Sequence, residues 1–373
     1  MAERILTLRE LNRATLARQL LLERARLPAL DAIKRVVGLQ AQLPNPPYVG
    51  LWSRLQSFQR GDLTSLIEDR QVVRATMMRS TLHLMTAEDY ILLRPALQPA
   101  LTRAMHAFFG ARAKDIDVDQ IVAAARAYVL EQPRTFVQLR ATLAELFPDI
   151  DPALLAYAVR AHLPLVQIPP GGRWGFTGSP AHAEASAWLG RPLAARTDGL
   201  RSLVLRYLAA FGPATVKDVQ IWSGLVGLKD VIAELKPLIC TFRDERGNEL
   251  FDLPASPRPP ANVIAPVRFL PEFDNLLLSH ADRGRVVPDK YRASIFLTVG
   301  RVRATFLVDG FVRGTWKIER ARDAARLIIE PFEPLPDEVR NDLVAEGEQL
   351  IRFIEDSAET FEIQFTQKGR IDI

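Results

Sequence analysis

The sequence predicts an α+β fold, mainly helical, and three observations carry that prediction. Apolar residues recur at helical spacing through the first two thirds of the chain. Each helical stretch there runs out into two short β-rich segments around a turn. After the Pro-rich run Pro254-Ala255-Ser256-Pro257-Arg258-Pro259-Pro260, a linker by composition, the pattern changes to short strands.

Residues 8–22 place Leu8, Leu11, Leu16 and Leu20 on one helical face, with Thr7 as the N-cap. Residues 29–39 predict a second helix, with Ile33, Val36 and Val37 inward. After a proline loop, residues 48–58 predict a third, with Leu51, Trp52 and Leu55 inward. Gly61-Asp62 opens a fourth, ending near Arg70. Residues 72–77 and 81–86 then read as strands split by Met78-Arg79-Ser80. Helices followed by a hairpin form the winged-helix pattern.

Residues 88–109 are helical, bent or split by Pro95 and Pro99. A second set follows: helices 118–130, 136–147 capped by Thr135, and 152–162 with Pro152 in its first turn. Strands 165–168 and 173–176 flank Pro169-Pro170-Gly171-Gly172. The third set has helix 201–211, a helix capped by Thr215 that reaches Trp222, helix 227–235, and strands 238–243 and 249–253. Topology thus repeats three times where sequence does not. Segments 263–269, 294–299, 304–308, 310–318, 326–331 and 361–365 read as strands, with helix 337–356 between the last two. Such a series suggests a small β-barrel or curled sheet. The expected units are 1–112, the first winged-helix unit with linking helices; 113–194, the second; 195–258, the third; and 259–373, a C-terminal β-barrel.

A 373-residue chain with 48% hydrophobic and 25% charged residues has the balance of a soluble globular protein of several units. No apolar run approaches the roughly 18–20 residues that spanning a bilayer requires. Met1-Ala2-Glu3-Arg4-Ile5-Leu6-Thr7 lacks the apolar core of a signal peptide. Cys240 is the single cysteine, which excludes an intrachain disulfide and disfavours a Cys-based zinc site. A cytoplasmic location is therefore expected. Forty arginines stand against eight lysines, although the net charge is only +4. Arginine's planar fork suits phosphate contacts, but so weak a net charge is no electrostatic footprint by itself.

The sequence holds no phosphate-loop lysine motif, no G-x-G-x-x-G after a strand, no H-E-x-x-H and no G-x-S-x-G. His182-Ala183-Glu184 matches the start of the zinc-deaminase signature, but that signature also needs a pair of cysteines. The five histidines show no helical ligand spacing, so no metal site and no cofactor are expected. The third helices of the second and third units carry few basic residues, which makes them poor base readers. Basic residues gather elsewhere: Arg74, Arg79 and His83 around the first hairpin, and His280, Arg283, Arg285, Lys290 and Arg292 in a turn-rich segment. Asp282-Arg283-Gly284-Arg285 resembles a hairpin tip able to approach a groove, or a solvated turn. Tyr48 and Trp52 could stack on a base or belong to the core. Asp274 could be a structural carboxylate or a site residue.

The most telling stretch is Gly38-Leu39-Gln40-Ala41-Gln42-Leu43-Pro44. Glutamine donates and accepts hydrogen bonds but is no useful acid or base near neutral pH. A pair of them can hold a water and a polar partner without taking a proton, or simply cap a helix before a proline turn.

Gln40-Ala41-Gln42, Arg79-Ser80-Thr81-Leu82-His83-Leu84, Leu270-Pro271-Glu272-Phe273-Asp274-Asn275-Leu276-Leu277-Leu278-Ser279-His280 with Arg283, and Gly310-Phe311-Val312-Arg313-Gly314-Thr315-Trp316 occur in this order across nearly the whole chain. Together they resemble the AlkZ/YcaQ-type winged-helix DNA glycosylases. Glutamine at position 42 places the resemblance with the AlkZ-like Q-x-Q branch rather than the Q-x-D branch. The resemblance implies tandem winged helices and a C-terminal barrel around a concave DNA-binding surface. It implies hydrolysis of the N-glycosidic bond of N7-alkylated, cationic purines, with unhooking of interstrand crosslinks as a further activity, in base-excision repair. Gln40 and Gln42 would be catalytic, and Arg79, Thr81, His83, His280, Arg283 and Arg285 would contact DNA. The expected partner is double-stranded DNA carrying alkylated bases or crosslinks, and the chain is expected to be monomeric. The competing readings are a non-catalytic winged-helix transcriptional regulator and a scaffold that binds DNA weakly through its arginines.

Overall fold

The computed structural model describes residues 4–366. Met1–Glu3, three of the seven residues read for a signal peptide, lie outside the described residues, as does the end of the expected C-terminal unit.

The expected helices form where their signals lie. Thr7, Thr135 and Thr215 each close a capping box at the start of Leu8–Arg18, Phe136–Leu146 and Val216–Ser223. Pro152 occupies the first turn of Pro152–His162. The stretch 88–109 is split at its prolines into Ala87–Leu93, Pro95–Leu97 and Gln98–Phe109. The second helix stops early, at Ala29–Arg35, because Val37 and Gly38 take positive φ of 57° and 80°. Gly38 cannot be replaced without strain: a Cβ there would lie 3.0 Å from the Leu84 carbonyl oxygen. The chain leaves this turn as the strand Leu39–Gln40 instead of continuing the helix.

That short strand is the edge of a six-stranded antiparallel sheet. Its order is Leu39–Gln40, Leu82–Thr86, Val72–Thr76, Leu165–Gln167, Ala181–Glu184, Arg134–Thr135. The hairpins of the first two helical sets are thus joined, with Arg74 opposite Gln167 and Ala75 opposite Val166. The expected strand 173–176 is not one: the partner of Leu165–Gln167 is Ala181–Glu184, and residues 169–180 form a long loop. In the third set, Cys240–Asp244 and Glu249–Asp252 pair as expected, and Ile5–Leu6 adds a parallel strand to them.

The C-terminal strands form an open five-stranded sheet, not a closed barrel, among the described residues. Arg268–Leu270 and Thr360–Phe365 lie at its two edges. The last pair is parallel because the helix Asp337–Ile354 crosses over between Ala324–Pro331 and Thr360–Phe365, laying Leu343, Leu350 and Ile351 on Phe269, Leu327 and Ile329. Residues 294–299, expected as a strand, instead close the helical turn Arg292–Ile295 and the 3₁₀ turn Thr298–Gly300. No helix is long and apolar enough to cross a membrane among the described residues.

Buried arginines bind the parts together. Arg18 makes a bidentate pair with Asp252, at 2.7 and 2.8 Å, and donates to the Leu208 carbonyl. Arg54 pairs with Asp274 at 2.9 and 2.8 Å, both side chains being 1% exposed or less. Asp274 is therefore a structural carboxylate. Its neighbour Asn275 donates to the Gly38 carbonyl at 2.9 Å, tying the C-terminal half to the turn that precedes the two glutamines. Removing one member of a buried pair leaves an uncompensated charge. Asp274→Ala is expected to lower unfolding stability by about 3–5 kcal/mol, read from the denaturant midpoint at unchanged slope.

Candidate active site

The edge strand ends at Gln40, and Gln42 follows two residues later in the bend that leads to the proline loop. Their surroundings differ. Gln42 is exposed, and its Oε1 accepts from the main-chain N–H of Leu82 at 3.1 Å. Gln40 is 7% exposed, and its Oε1 accepts from Nη2 of Arg79 at 2.7 Å. The backbone from Ala41 to Gln42 is held by Arg74. Its Nε donates to the Ala41 carbonyl at 2.8 Å, Nη2 to the Gln42 carbonyl at 3.1 Å, and Nη1 to Oε1 of Gln167 at 2.6 Å. Burial draws the pKa of Arg74 down to about 10, which leaves it charged at neutral pH.

Gln42 stands on the divide between two concavities. One, of about 250 Å³, is lined by Phe136, Arg160 and His182 of the second helical set, by Arg94 of the linking helices and by the tip of the first hairpin. The other, of about 980 Å³, opens between the proline loop, the 174–178 loop and the C-terminal sheet. Gln42, Leu82, Gln167 and Pro180 line both. Cations line both: Arg94 and Arg160 the smaller, and Arg74, Arg301, Arg303 and Lys317 the larger, where Arg301 faces Glu272, Arg303 pairs with Glu330 and Lys317 pairs with Glu319 at 2.7 Å. Apolar and aromatic walls come from Trp174, Phe176, Pro271 and Trp316. Tyr48 and Trp52 lie elsewhere: Tyr48 is buried against Trp174, and Trp52 packs on Phe353 with Arg24 over its ring.

The six residues expected to contact DNA divide into two groups. Arg79, Thr81 and Arg283 are half-buried and keep some surface. His83, His280 and Arg285 are buried. His280 lies between the Ser279 hydroxyl and the Phe211 carbonyl, each at 3.0 Å, and Arg285 donates to the Pro213 carbonyl at 2.8 Å. As they stand, these two join the third helical set to the C-terminal half. The expected hairpin tip is a 3₁₀ turn, Arg283–Arg285, capped by the Asp282 carboxylate. Nδ1 of His83 lies 3.2 Å from the Thr81 carbonyl. Burial, reinforced by the nearby Arg79 charge, pushes the His83 pKa down to about 3, so the ring is neutral at physiological pH.

The Q-x-Q pair and the basic hairpin were legible in the sequence. Trp174, Phe176, Phe136, Arg160, Arg301 and Arg303 were not, because they stand on loops and helix ends that only the tertiary fold gathers around Gln42. The one signal available was the arginine excess.

Two amides at the end of an edge strand, flanked by cation-lined concavities, suit a protein that works on a polyanion. The chain matches the family model described as AlkZ-like DNA glycosylase over residues 33–353, and it belongs to that family. It is 24% identical to an interstrand DNA cross-link repair glycosylase of Streptomyces sahachiroi, over 84% of this chain and 88% of that protein. Its fold resembles the solved structure of the Streptomyces sahachiroi DNA glycosylase AlkZ, with a TM-score of 0.76 at 18% identity, covering 97% of this chain and 100% of that one.

The low pKa of His83 has a consequence for stability. The unfolded chain takes a proton near pH 6.5 and the folded chain only near 3, so the unfolded state binds more protons between these values. Stability is full above about pH 6.5 and falls as the pH drops toward 3. The melting temperature is expected to fall between pH 7 and pH 5, and by less in His83→Asn, as thermal scans in buffers of equal ionic strength would register.

Proposed function

We propose that the protein is a monofunctional DNA glycosylase that hydrolyses the N-glycosidic bond of N7-alkylated, cationic purines in double-stranded DNA, in base-excision repair. The observation that carries this reading is the placement of an exposed, non-titrating amide, Gln42, at the meeting point of two cation-lined concavities. N7 alkylation places a positive charge on the base, which then departs without being protonated. The protein's tasks are to position water and to stabilise a developing sugar cation. Neutral amides can do both, and no metal or organic cofactor is called for. The carboxylate that lines the larger concavity, Glu272, faces Arg301 at 3.7 Å.

A base joined to the opposite strand cannot swing fully into a closed pocket. The larger concavity is an open cleft, which favours crosslinked or bulky lesions as further substrates. This reading takes the helical sets within 1–112, 113–194 and 195–258 as winged-helix modules that frame the cleft, with 259–373 as its far wall. It further takes the chain to act as a monomer in the cytoplasm.

Duplexes carrying N7-methylguanine or a nitrogen-mustard crosslink are expected to yield free base and alkali-labile sites. The double variant Gln40→Ala/Gln42→Ala is expected to lose about 10²-fold or more in rate while keeping its far-UV spectrum and melting temperature. Undiminished base release by that folded variant would remove the two glutamines from the reaction. Sequence-selective binding to undamaged duplex without base release would favour a regulator.

A further inference from the structure

The amides of Gln40 and Gln42 are both held by their oxygens, and the chemistry of their partners settles which end is which. A guanidinium has only N–H donors, so the atom 2.7 Å from Nη2 of Arg79 is an acceptor, Oε1 of Gln40. The Leu82 N–H fixes Oε1 of Gln42 in the same way. Nε2 of Gln40 makes no hydrogen bond among the described residues, yet it is not among the atoms sealed from solvent. Gln40 therefore offers an incoming ligand an N–H donor. A water about to attack carbon is best held through its hydrogens, leaving a lone pair free. A donor aimed at that lone pair blunts the nucleophile. Gln40 is thus turned to meet an acceptor on the substrate.

The surrounding charge says which acceptor. Arg79 bonds only to neutral oxygens, Gln40 Oε1 and the Trp222 carbonyl at 2.7 Å, and has no carboxylate partner among the described residues. Its backbone is fixed by the turn Met78–Ser80, with Arg79 at φ 56°, against Gly224, where a Cβ would come within 3.3 Å of the Arg79 backbone. Arg283 is near enough for its charge to act on Arg79. The Arg283 guanidinium lies 3.9 Å over the Phe296 ring, and it too has no ion pair among the described residues. A guanidinium without an ion pair among the described residues, bonded to an amide that keeps a free N–H and within reach of a second guanidinium's charge, makes a place for an anion. On a DNA duplex that anion is a phosphodiester.

We propose that Gln40, Arg79 and Arg283 form a phosphate subsite. Nε2 of Gln40 donates to a non-bridging oxygen of a phosphodiester flanking the damaged nucleotide, Arg79 positions that amide, and Arg283 faces the same group. This assignment rests on the DNA-glycosylase reading and divides the labour within it. Gln42, whose Oε1 keeps a second lone pair and stands in the open cleft, holds the water. A phosphate pinned at Gln40 also brings negative charge toward the sugar as it becomes cationic.

Two arms test this on the full chain. The first needs no activity. Gln40→Glu sets a carboxylate oxygen against Arg79 and is expected to raise the melting temperature, whereas a fall would show that the amide oxygen does not face the guanidinium. The second uses N7-methylguanine duplexes in which single flanking phosphates are replaced by neutral methylphosphonates. At one position the replacement is expected to lower the wild-type single-turnover rate about 10-fold or more, and to cost Gln40→Ala nothing further. Arg79→Met is expected to match Gln40→Ala in rate, with no added loss in the double variant and partial recovery in Arg79→Lys. Arg283→Met is expected to weaken duplex binding and reduce its salt slope by about 1. Equal methylphosphonate losses in wild type and Gln40→Ala at every position would overturn the subsite. Absence of base release from wild type would instead overturn the glycosylase reading, while the melting and salt-slope arms would still judge the amide orientation and the anion contact.

Discussion

The arrangement around the two glutamines depends on the buried pair between Arg54 and Asp274. Two charges are taken out of water there, and their bidentate geometry, the Gly50 carbonyl and the Leu276 N–H offset that loss. The pair fixes the segment from which Asn275 reaches the Gly38 carbonyl, and Gly38 is the turn that converts a helix into the glutamine-bearing strand. Arg74 then secures the carbonyls of Ala41 and Gln42. A strand of two residues has almost no pairing energy of its own. Its direction is imposed by side chains that arrive from sequence positions up to 237 residues away.

The same economy shapes the electrostatics. Histidine is the side chain whose charge ordinarily changes near neutral pH, yet burial pushes His83 and His280 down to about 3 and His182 down to about 4. The charged groups that line the cleft are arginines, one lysine and the carboxylate Glu272. None of these changes its charge near neutral pH as a free histidine would. The groups closest to the proposed chemistry are amides that do not titrate at all. On the proposed reading, selectivity then falls on the state of the leaving group.

Local signals were legible where the physics is local. Threonine caps, a proline at the first turn of a helix and alternating strands at 72–76 and 82–86 appear in the fold as the sequence indicates. The failures have tertiary causes. Residues 181–184, Ala-His-Ala-Glu, have weak strand propensity, but they are drawn into the sheet by the open edge of Leu165–Gln167. Residues 294–299 are apolar enough for a strand but are spent on a helical turn that buries Ile295. His280 and Arg285 look like a basic tip in one dimension. Burial against Phe211 and Pro213 turns them inward, and no periodicity in a turn-rich segment announces that. The Q-x-Q pair was readable because its chemistry is unusual, whereas the aromatic and cationic walls that face it come from separated loops.

The pairing of Val72–Thr76 with Leu165–Gln167 gives the first two helical sets a common floor. Two bodies stitched by a continuous ladder do not hinge against each other without breaking main-chain hydrogen bonds. A lesion cannot be gripped by jaws closing there. On the proposed reading, accommodation of adducts of different bulk falls instead to the rim, formed by residues 174–178 and by Leu297 and Arg301. Exchanging those rim segments, with the floor left intact, is the natural route by which such a scaffold would come to favour one kind of damage over another.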